Sequence, residues 1–154
     1  PLVIPEINGA ELAELNGPSL ISNPNCSTSQ LLMVLDSIHQ AFNIDILNIA
    51  TYQAVSGTGK KAVQELQIQS NQTDSEINPE IYPKPIAFNV IPQCDVFLEN
   101  DFTKEEMKLV WETKKILDPS ISVQATCARV PVFNGHSEAV FFRVEQKTSK
   151  EEII

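Results

Sequence analysis

A turn that leads directly into an amphipathic helix constrains this chain more than any other stretch. The turn reads Asn23-Pro24-Asn25-Cys26-Ser27-Thr28, and apolar side chains then recur three or four positions apart, at Leu31, Val34, Leu35, Ile38 and Phe42. This spacing predicts a helix that ends near residues 42–43 and is capped by Ser27, Thr28 or Ser29. Cys26 is therefore expected at or just before the helix N-terminus.

A cysteine at that position has two interpretations. Unpaired backbone N–H groups and the positive end of the helix dipole favour the thiolate form of the side chain, and they can stabilise an anionic oxygen. Cys26 is then a candidate nucleophile. The alternative is that Cys26 is a small, buried and inert side chain, as many free cysteines are.

The remaining hydrophobic pattern predicts strands that alternate irregularly with helices. Strands are predicted at 2–4, 44–55, 121–132 and 139–145, and extended pieces at 19–22 and at 86–98, which Pro92 would bend. Helices are predicted at 60–69, at 103–117 and from 149 onward, with a helical turn at 11–15 and a long polar loop at 70–85. The predicted fold class is α+β, with a mixed, largely antiparallel sheet and helices on one face.

The composition restricts the possible functions. A chain of 154 residues is long enough for one domain with a hydrophobic core. Its net charge of −9 argues against nucleic-acid binding, which needs a basic surface, and no apolar run reaches membrane-spanning length. The three cysteines lack C-x-x-C spacing, so neither a disulfide framework nor a zinc site is expected, and reduced thiols indicate the cytoplasm.

Two further residues could work with a Cys26 thiolate. His136 lies in the glycine-bearing connection 133–137, where catalytic residues are commonly held, whereas His39 lies off the apolar stripe of its helix and is expected to be solvated. Arg129 lies in an otherwise apolar strand, where a guanidinium needs an acidic partner or an anionic ligand. Cys26, His136 and Arg129 could thus supply a thiolate, an acid–base group and a carboxylate clamp.

Two other features have ordinary explanations when they are considered alone. Ser56-Gly57-Thr58-Gly59 is typical of a strand-to-helix turn, although its glycines would let the backbone approach a ligand. Glu105 and Lys108 are three residues apart, which is typical of a weak ion pair on a helix surface.

Four motifs, in order, resemble those of the aspartate-semialdehyde dehydrogenase family. Residues 23–28 resemble its active-site cysteine signature, and residues 51–59 (TYQAVSGTG) resemble its second motif. Glu105-Glu106-Met107-Lys108 resembles the third, and Arg129-Val130-Pro131-Val132 followed by His136-Ser137 resembles the fourth. The resemblance implies the family's catalytic and dimerisation domain, with a fold like the catalytic domain of glyceraldehyde-3-phosphate dehydrogenase-like enzymes.

The resemblance implies four catalytic residues. Cys26 would be the nucleophile and His136 the acid–base residue. Gln53 would position the substrate near the thiolate, and Asn25 would help to stabilise the oxyanion together with backbone N–H groups around Cys26.

The resemblance also implies five binding residues. Arg129 would bind the α-carboxylate of the substrate, Glu105 its ammonium group and Lys108 its phosphate. This set of one anion and two cations suits an amino-acid acyl phosphate. Ser56 and Gly57 would approach the nicotinamide end of NADP.

The implied activity is the NADPH-dependent reduction of aspartyl β-phosphate to aspartate β-semialdehyde through a cysteine thioester, in the biosynthesis of lysine, methionine, threonine and diaminopimelate. The implied partners are this small-molecule substrate, phosphate and a second copy of the chain in a homodimer, with no nucleic acid, membrane or metal ion. No G-x-G-x-x-G follows a predicted strand. Residues 1–154 are therefore interpreted as the catalytic and dimerisation domain of a longer, two-domain enzyme.

Three alternatives stay open. An N-acetyl-γ-glutamyl-phosphate reductase would share the cysteine, the histidine and the thioester, but its substrate has no ammonium group to pair with Glu105. A thiol hydrolase that uses Cys26 and His136 would need no nucleotide. A non-catalytic dimerisation module predicts that Cys26 is buried and inert toward iodoacetamide.

Overall fold

The computed structural model describes residues 1–71 and 78–153. The chain divides into two compact units, and each draws on stretches that are distant in sequence. Unit 1 comprises Pro1–Ile49, Glu106–Ala125 and Val140–Ile154, and unit 2 comprises Ala50–Glu105 and Thr126–Ala139.

The helices of the described residues follow the predicted pattern closely. They are α1 (Pro5–Asn8), α2 (Cys26–Phe42), α3 (Lys60–Gln69), α4 (Lys104–Ile116) and α5 (Lys150–Ile153), with 3₁₀ turns at Gly9–Glu14 and Val55–Thr58. The bounds predicted for α3 match the structure, and α2 ends where predicted, but its capping residue differs from the predicted ones. No helix in this part of the chain combines the length and the apolar character that a membrane crossing requires.

Three strands form one sheet in the order β2-β1-β3. They are β1 (Ile44–Gln53), β2 (Ser122–Arg129) and β3 (Ser137–Val144). Next to the start of β1, Glu145 N–H donates to Asn43 O at 2.9 Å and Gln146 N–H donates to Phe42 O at 3.2 Å. From one bond to the next the donor's residue number rises while the acceptor's falls, so β1 and β3 run antiparallel.

Beyond the other end of β1, the backbone hydrogen bonds show a parallel pairing. Val130 N–H donates to Gln53 O at 3.0 Å, and Val55 N–H donates to Val132 O at 2.9 Å. Both numbers rise together, so these two segments run in the same direction. The sheet is mixed, and the predicted α+β class is confirmed.

Strand β1 carries its buried side chains in strict alternation over its second half. Leu47, Ile49, Thr51 and Gln53 are buried, and Tyr52 is exposed. Because successive strand residues point to opposite faces, Gln53 is buried by register with the apolar residues before it. The polar side chain of Gln53 therefore lies in the interior at the end of β1.

The apolar faces of α2 and α4 differ from the predicted ones. In α2, Val34 is 64% exposed, and the buried side chains include Leu32 beside Leu31 and Leu35. In α4, Trp111 is 53% exposed, and the buried positions are Glu105, Leu109, Thr113 and Ile116. The stripe of α4 has helical spacing but includes two polar residues, so apolar letters alone could not reveal it.

His39 is not a solvated helix residue, and that prediction is wrong. Its Nδ1 accepts the N–H of Ile44 at 3.1 Å, and its Nε2 lies 3.6 Å from Asp118 Oδ2. Its side chain is only 13% exposed. The imidazole thus joins the last turn of α2 to the first residue of β1.

Two buried side chains of α3 hold the segment that precedes Ile91 in unit 2. Glu65 Oε2 accepts the N–H groups of Glu80 and Ile81 at 2.9 and 2.8 Å. Gln69 Oε1 accepts those of Ile86 and Ala87 at 2.9 and 3.1 Å, and its Nε2 donates to Glu65 Oε1. The same unit also contains an apolar cluster of Val55, Ala62, Leu66, Ile86, Ala87 and Ile91.

Two predicted extended segments are reduced to isolated bridges. The strand predicted at 2–4 is one bridge between Leu2 and Ser22, because Ile4 N–H is taken by the side chain of Asn8.

The run 86–98 makes bridges only at Ile91, to Arg129, and at Phe97, to Thr103. It cannot start a longer ladder because Gln69 already occupies the N–H groups of its first two residues. Residues 72–77 of the predicted loop 70–85 lie outside the described residues.

Candidate active site

Cys26 is the first residue of α2, and it is exposed. Cys94 and Cys127 are both buried. The exposure of Cys26 contradicts the burial that the non-catalytic alternative predicts.

The N-cap of α2 is Asn25, not one of the predicted residues Ser27, Thr28 or Ser29. Asn25 Oδ1 accepts the N–H of Ser27 at 2.9 Å, and Asn25 O accepts the first helical bond from Ser29 N–H at 2.9 Å. Because Cys26 itself opens the helix, the capping residue must precede it. Asn25 therefore holds the backbone that follows Cys26, through its side chain and its carbonyl oxygen.

A second group of the predicted site residues meets where β1 ends, in unit 2. Ala54, which follows the strand, is fully buried. Its N–H donates to His136 Nδ1 at 3.0 Å, and its carbonyl oxygen accepts from Arg129 Nη1 at 2.7 Å. One backbone residue thus holds both the imidazole and the guanidinium, and the motifs gave no sign of this because every residue type carries the same N–H and C=O.

Gly57 lies against the same two side chains. A Cβ added to Gly57 would stand 3.0 Å from Cε1 and 3.1 Å from Nε2 of His136, and 3.1 Å from Nη1 of Arg129. Its own N–H donates back to Ala54 O at 3.2 Å. Gly57 is required here because there is no space for a side chain.

Arg129 is buried, with 7% of its surface exposed. Its Nη1 is bonded to Ala54, but its Nε has no hydrogen-bond partner among the described residues. A buried guanidinium with an unmet donor is the arrangement expected of an anion-binding residue.

His136 is half-buried in the connection before β3. Burial lowers the pKa of His136 below its ordinary value, the positive charge of Arg129 lowers it further, and the carboxylate of Glu105 opposes both effects. The ring is therefore neutral at physiological pH.

Gln53 and Glu105 form a buried pair in the same unit. Gln53 Nε2 donates to Glu105 Oε1 at 3.1 Å and to Thr51 Oγ1 at 3.2 Å. Glu105 is 7% exposed in the first turn of α4, so the surface-pair interpretation of Glu105 is wrong. Glu105 is instead a buried carboxylate that is hydrogen-bonded to Gln53.

The remaining predicted site residues are distributed as follows. Ser56 is half-buried, and its N–H donates to Phe133 O at 3.2 Å. Lys108 is half-buried on α4. Asn25, Cys26 and Lys108 belong to unit 1, whereas Gln53, Ser56, Gly57, Glu105, Arg129 and His136 belong to unit 2.

Metal ligands do not gather in the part of the chain that the structure describes. Across residues 1–71 and 78–153, no three His, Cys, Asp or Glu side chains are arranged to hold a metal ion.

Comparison with known proteins identifies the family. Residues 35–154 match the sequence pattern described as "Semialdehyde dehydrogenase, dimerisation domain". The chain belongs to the semialdehyde dehydrogenase family. The resemblance to aspartate-semialdehyde dehydrogenases is confirmed by a curated relative of that name from Shewanella sp. (strain DB6705), which is 51% identical over 99% of this chain and 46% of its own length.

Solved structures agree with the family assignment. Aspartate-semialdehyde dehydrogenase II of Vibrio cholerae, crystallised in complex with ASA, superposes with a TM-score of 0.94 at 46% identity, over 99% of this chain and 46% of that one. The Candida albicans enzyme with NADP superposes with a TM-score of 0.61 at 26% identity, over 97% of this chain and 38% of that one. The chain therefore spans about half the length of the relatives that it matches.

Proposed function

We propose that this chain is the catalytic and dimerisation half of an aspartate-semialdehyde dehydrogenase. The complete enzyme would convert aspartyl β-phosphate to aspartate β-semialdehyde through a thioester on Cys26, with NADPH as reductant. Membership of the family supports the class of enzyme, the resemblance implies the residue roles, and the geometry within each unit adds support.

The arrangement of Arg129 carries this proposal. Its guanidinium is buried, its Nε has no partner among the described residues, and it shares contact with Gly57 and His136. A buried, incompletely bonded guanidinium beside an imidazole is suited to bind a carboxylate. The α-carboxylate of the substrate is the proposed ligand.

Cys26 is the proposed nucleophile. Its thiolate attacks the β-carbonyl carbon of aspartyl phosphate, the bond from that carbon to the phosphate oxygen breaks, and phosphate leaves with the electron pair. Asn25 and the N–H groups at the start of α2 stabilise the intermediate oxyanion. His136 is the acid–base residue that serves this oxygen.

Three further side chains recognise the substrate. The buried carboxylate of Glu105 pairs with the ammonium group, and Lys108 binds the phosphate that departs. Gln53 donates a hydrogen bond to Glu105, so it orients the carboxylate and helps to position the substrate. An N-acetylated substrate has no ammonium group, so it could not pair with the Glu105 carboxylate in this way.

NADPH is the proposed cofactor, with its nicotinamide end near Ser56 and Gly57. Gly57 has no side chain, so its exposed backbone can come close to a bound ligand. When bound, the cofactor supplies the hydride that reduces the thioester to the aldehyde. Ser56 and Gly57 would line the nicotinamide end, and the other half of the enzyme would hold the rest.

A homodimer is the proposed assembly, because the matching family pattern is a dimerisation domain. Exposed apolar side chains in unit 1 support it: Val34 is 64% exposed and Phe141 is 71% exposed.

The test is an assay of the complete enzyme that contains this chain, with aspartate β-semialdehyde, phosphate and NADP as substrates. We expect Cys26→Ser to abolish turnover and Arg129→Lys to weaken kcat/KM by about 10- to 100-fold, the loss of one or two charge-assisted hydrogen bonds. Arg143→Lys is the matched control, because Arg143 is exposed and paired with Asp45.

Each rival has its own result in this assay. Preference for N-acetylglutamyl phosphate would identify the related reductase, and ester cleavage without nucleotide would identify a thiol hydrolase. Full NADPH-dependent turnover by these 154 residues alone would contradict the assignment of the chain as half an enzyme.

A further inference from the structure

The backbone around Ala54 is held rigidly. Its N–H donates to His136 Nδ1 at 3.0 Å, and its carbonyl accepts from Arg129 at 2.7 Å. On either side, Gln53 O accepts a backbone bond at 3.0 Å and Val55 N–H donates one at 2.9 Å. The Ala54 N–H therefore cannot turn away from the imidazole without breaking several bonds.

An imidazole nitrogen that accepts a hydrogen bond carries no proton of its own. With Nδ1 occupied by the Ala54 N–H, a neutral ring must carry its proton on Nε2. We propose that Ala54, held by Arg129, fixes His136 as the neutral Nε2–H tautomer, so that the ring serves the reaction as a hydrogen-bond donor. Protonation of Nδ1 would set two N–H groups against each other.

On balance, the surroundings of the ring also favour its neutral form. Arg129 faces His136 and disfavours a second positive charge, while Glu105 favours one, and burial disfavours it. The pKa of His136 is lowered as a result.

The position of Nε2 makes the donor useful. It lies 3.1 Å from where a Cβ of Gly57 would stand, and Gly57 itself is exposed. This part of the inference rests on the proposed function. There the Nε2–H donates a hydrogen bond to the substrate oxygen that the proposed function has His136 serve.

Arg129 is then a positioning residue for His136, in addition to its proposed contact with the substrate. Its bond to the Ala54 carbonyl keeps the Ala54 N–H aligned with Nδ1. Removal of the guanidinium removes both the alignment and the nearby positive charge.

The test is a long-range ¹H–¹⁵N correlation spectrum of the ¹⁵N-labelled chain, recorded as a function of pH without substrate or cofactor. The chain has two histidines, so the His136 resonances are those that disappear in His136→Gln. His39→Gln gives a second, independent assignment. We expect an unprotonated Nδ1 and a protonated Nε2 at pH about 7.5, and a titration midpoint below the ordinary value of about 6.5.

An Nδ1–H tautomer, or an imidazolium at that pH, would overturn the proposal. In Arg129→Met we expect a higher midpoint and a mixture of tautomers, with the dispersed amide spectrum retained as evidence of folding. An unchanged tautomer and midpoint in a folded Arg129→Met would overturn the positioning role. Because no turnover is measured, failure here is distinguishable from failure of the proposed enzyme activity.

Discussion

The carboxylate of Glu112 accepts the backbone N–H of Asn25 at 2.8 Å, across 87 positions of sequence. Glu112 lies on α4, and Asn25 precedes Cys26 at the start of α2. The bond ties the turn that presents the sulfur to a second helix of unit 1. No sequence motif indicated a role for Glu112, because its carboxylate accepts from a backbone N–H, which every residue except proline carries.

Substitution of Glu112 should loosen this turn. Glu112→Leu removes a charged acceptor from a backbone N–H, and we expect a loss of about 1–3 kcal/mol in the free energy of unfolding, measured with urea. Glu112→Gln keeps an acceptor oxygen and should lose less than half as much. Equal losses in the two variants would contradict a role for the hydrogen bond.

Gly57→Ala should disturb the cluster at the end of β1. The new Cβ would meet His136 and Arg129 at 3.0–3.1 Å, which is tighter than ordinary packing. We expect destabilisation of about 1–3 kcal/mol and a marked loss of turnover in the complete enzyme.

Gly9→Ala is the matched control for that variant. Its Cβ would come no closer than 3.9 Å to Pro5, and its φ of −57° suits any residue. We expect a change within about 0.5 kcal/mol. Equal effects of the two alanines in thermal unfolding would show that the crowding around Gly57 is not the cause.

Gln53→Glu should place two carboxylates side by side in the interior. Gln53 now donates to Glu105 at 3.1 Å, and a glutamate could donate only if it were protonated. We expect a loss of about 2–4 kcal/mol at pH 8, and a smaller loss at pH 5, where one of the two carboxyls can hold a proton.

Gln67→Glu makes the same chemical change at an exposed position of α3. We expect it to alter stability by less than about 0.5 kcal/mol at either pH. A pH-independent loss in Gln53→Glu would contradict the carboxylate pairing.

The low pKa of His136 predicts a pH dependence of stability. Its folded pKa lies below that of the unfolded chain, so between the two values the unfolded state binds more protons. This contribution is fully present above a pH of about 6.5 and is lost as the pH falls toward the folded pKa. Urea midpoints measured from pH 7.5 to 5 should therefore fall less in His136→Gln than in the unchanged chain.

Much of the fold could be predicted because apolar residues recur at regular spacings along the sequence. The apolar spacing of α2 and α3 marked both helices, and β1 showed as a continuous apolar run. The stripe of α4 was missed because Glu105 and Thr113 are buried within it. Such polar positions are stabilised by tertiary partners, which a one-dimensional pattern does not show.

The candidate site was predictable where it depends on side-chain identity. Cys26, Arg129 and His136 stood out as unusual residues in their surroundings, and the structure brings the last two together. The contributions of Ala54 and of the bare Cα of Gly57 depend on backbone position and space. Asn25 as the cap was missed because three other capping residues follow it.

The two units alternate along the sequence, and this alternation determines the order in which their segments are synthesised. Unit 2 is complete once Ala139 has emerged, whereas unit 1 still lacks the stretch that begins at Val140. Arg129, His136 and the residues around them are therefore synthesised before the stretch of unit 1 that begins at Val140. Unit 1 carries Cys26, the proposed nucleophile. No single cut can separate the units, since Glu106–Ala125 of unit 1 lies between the two stretches of unit 2.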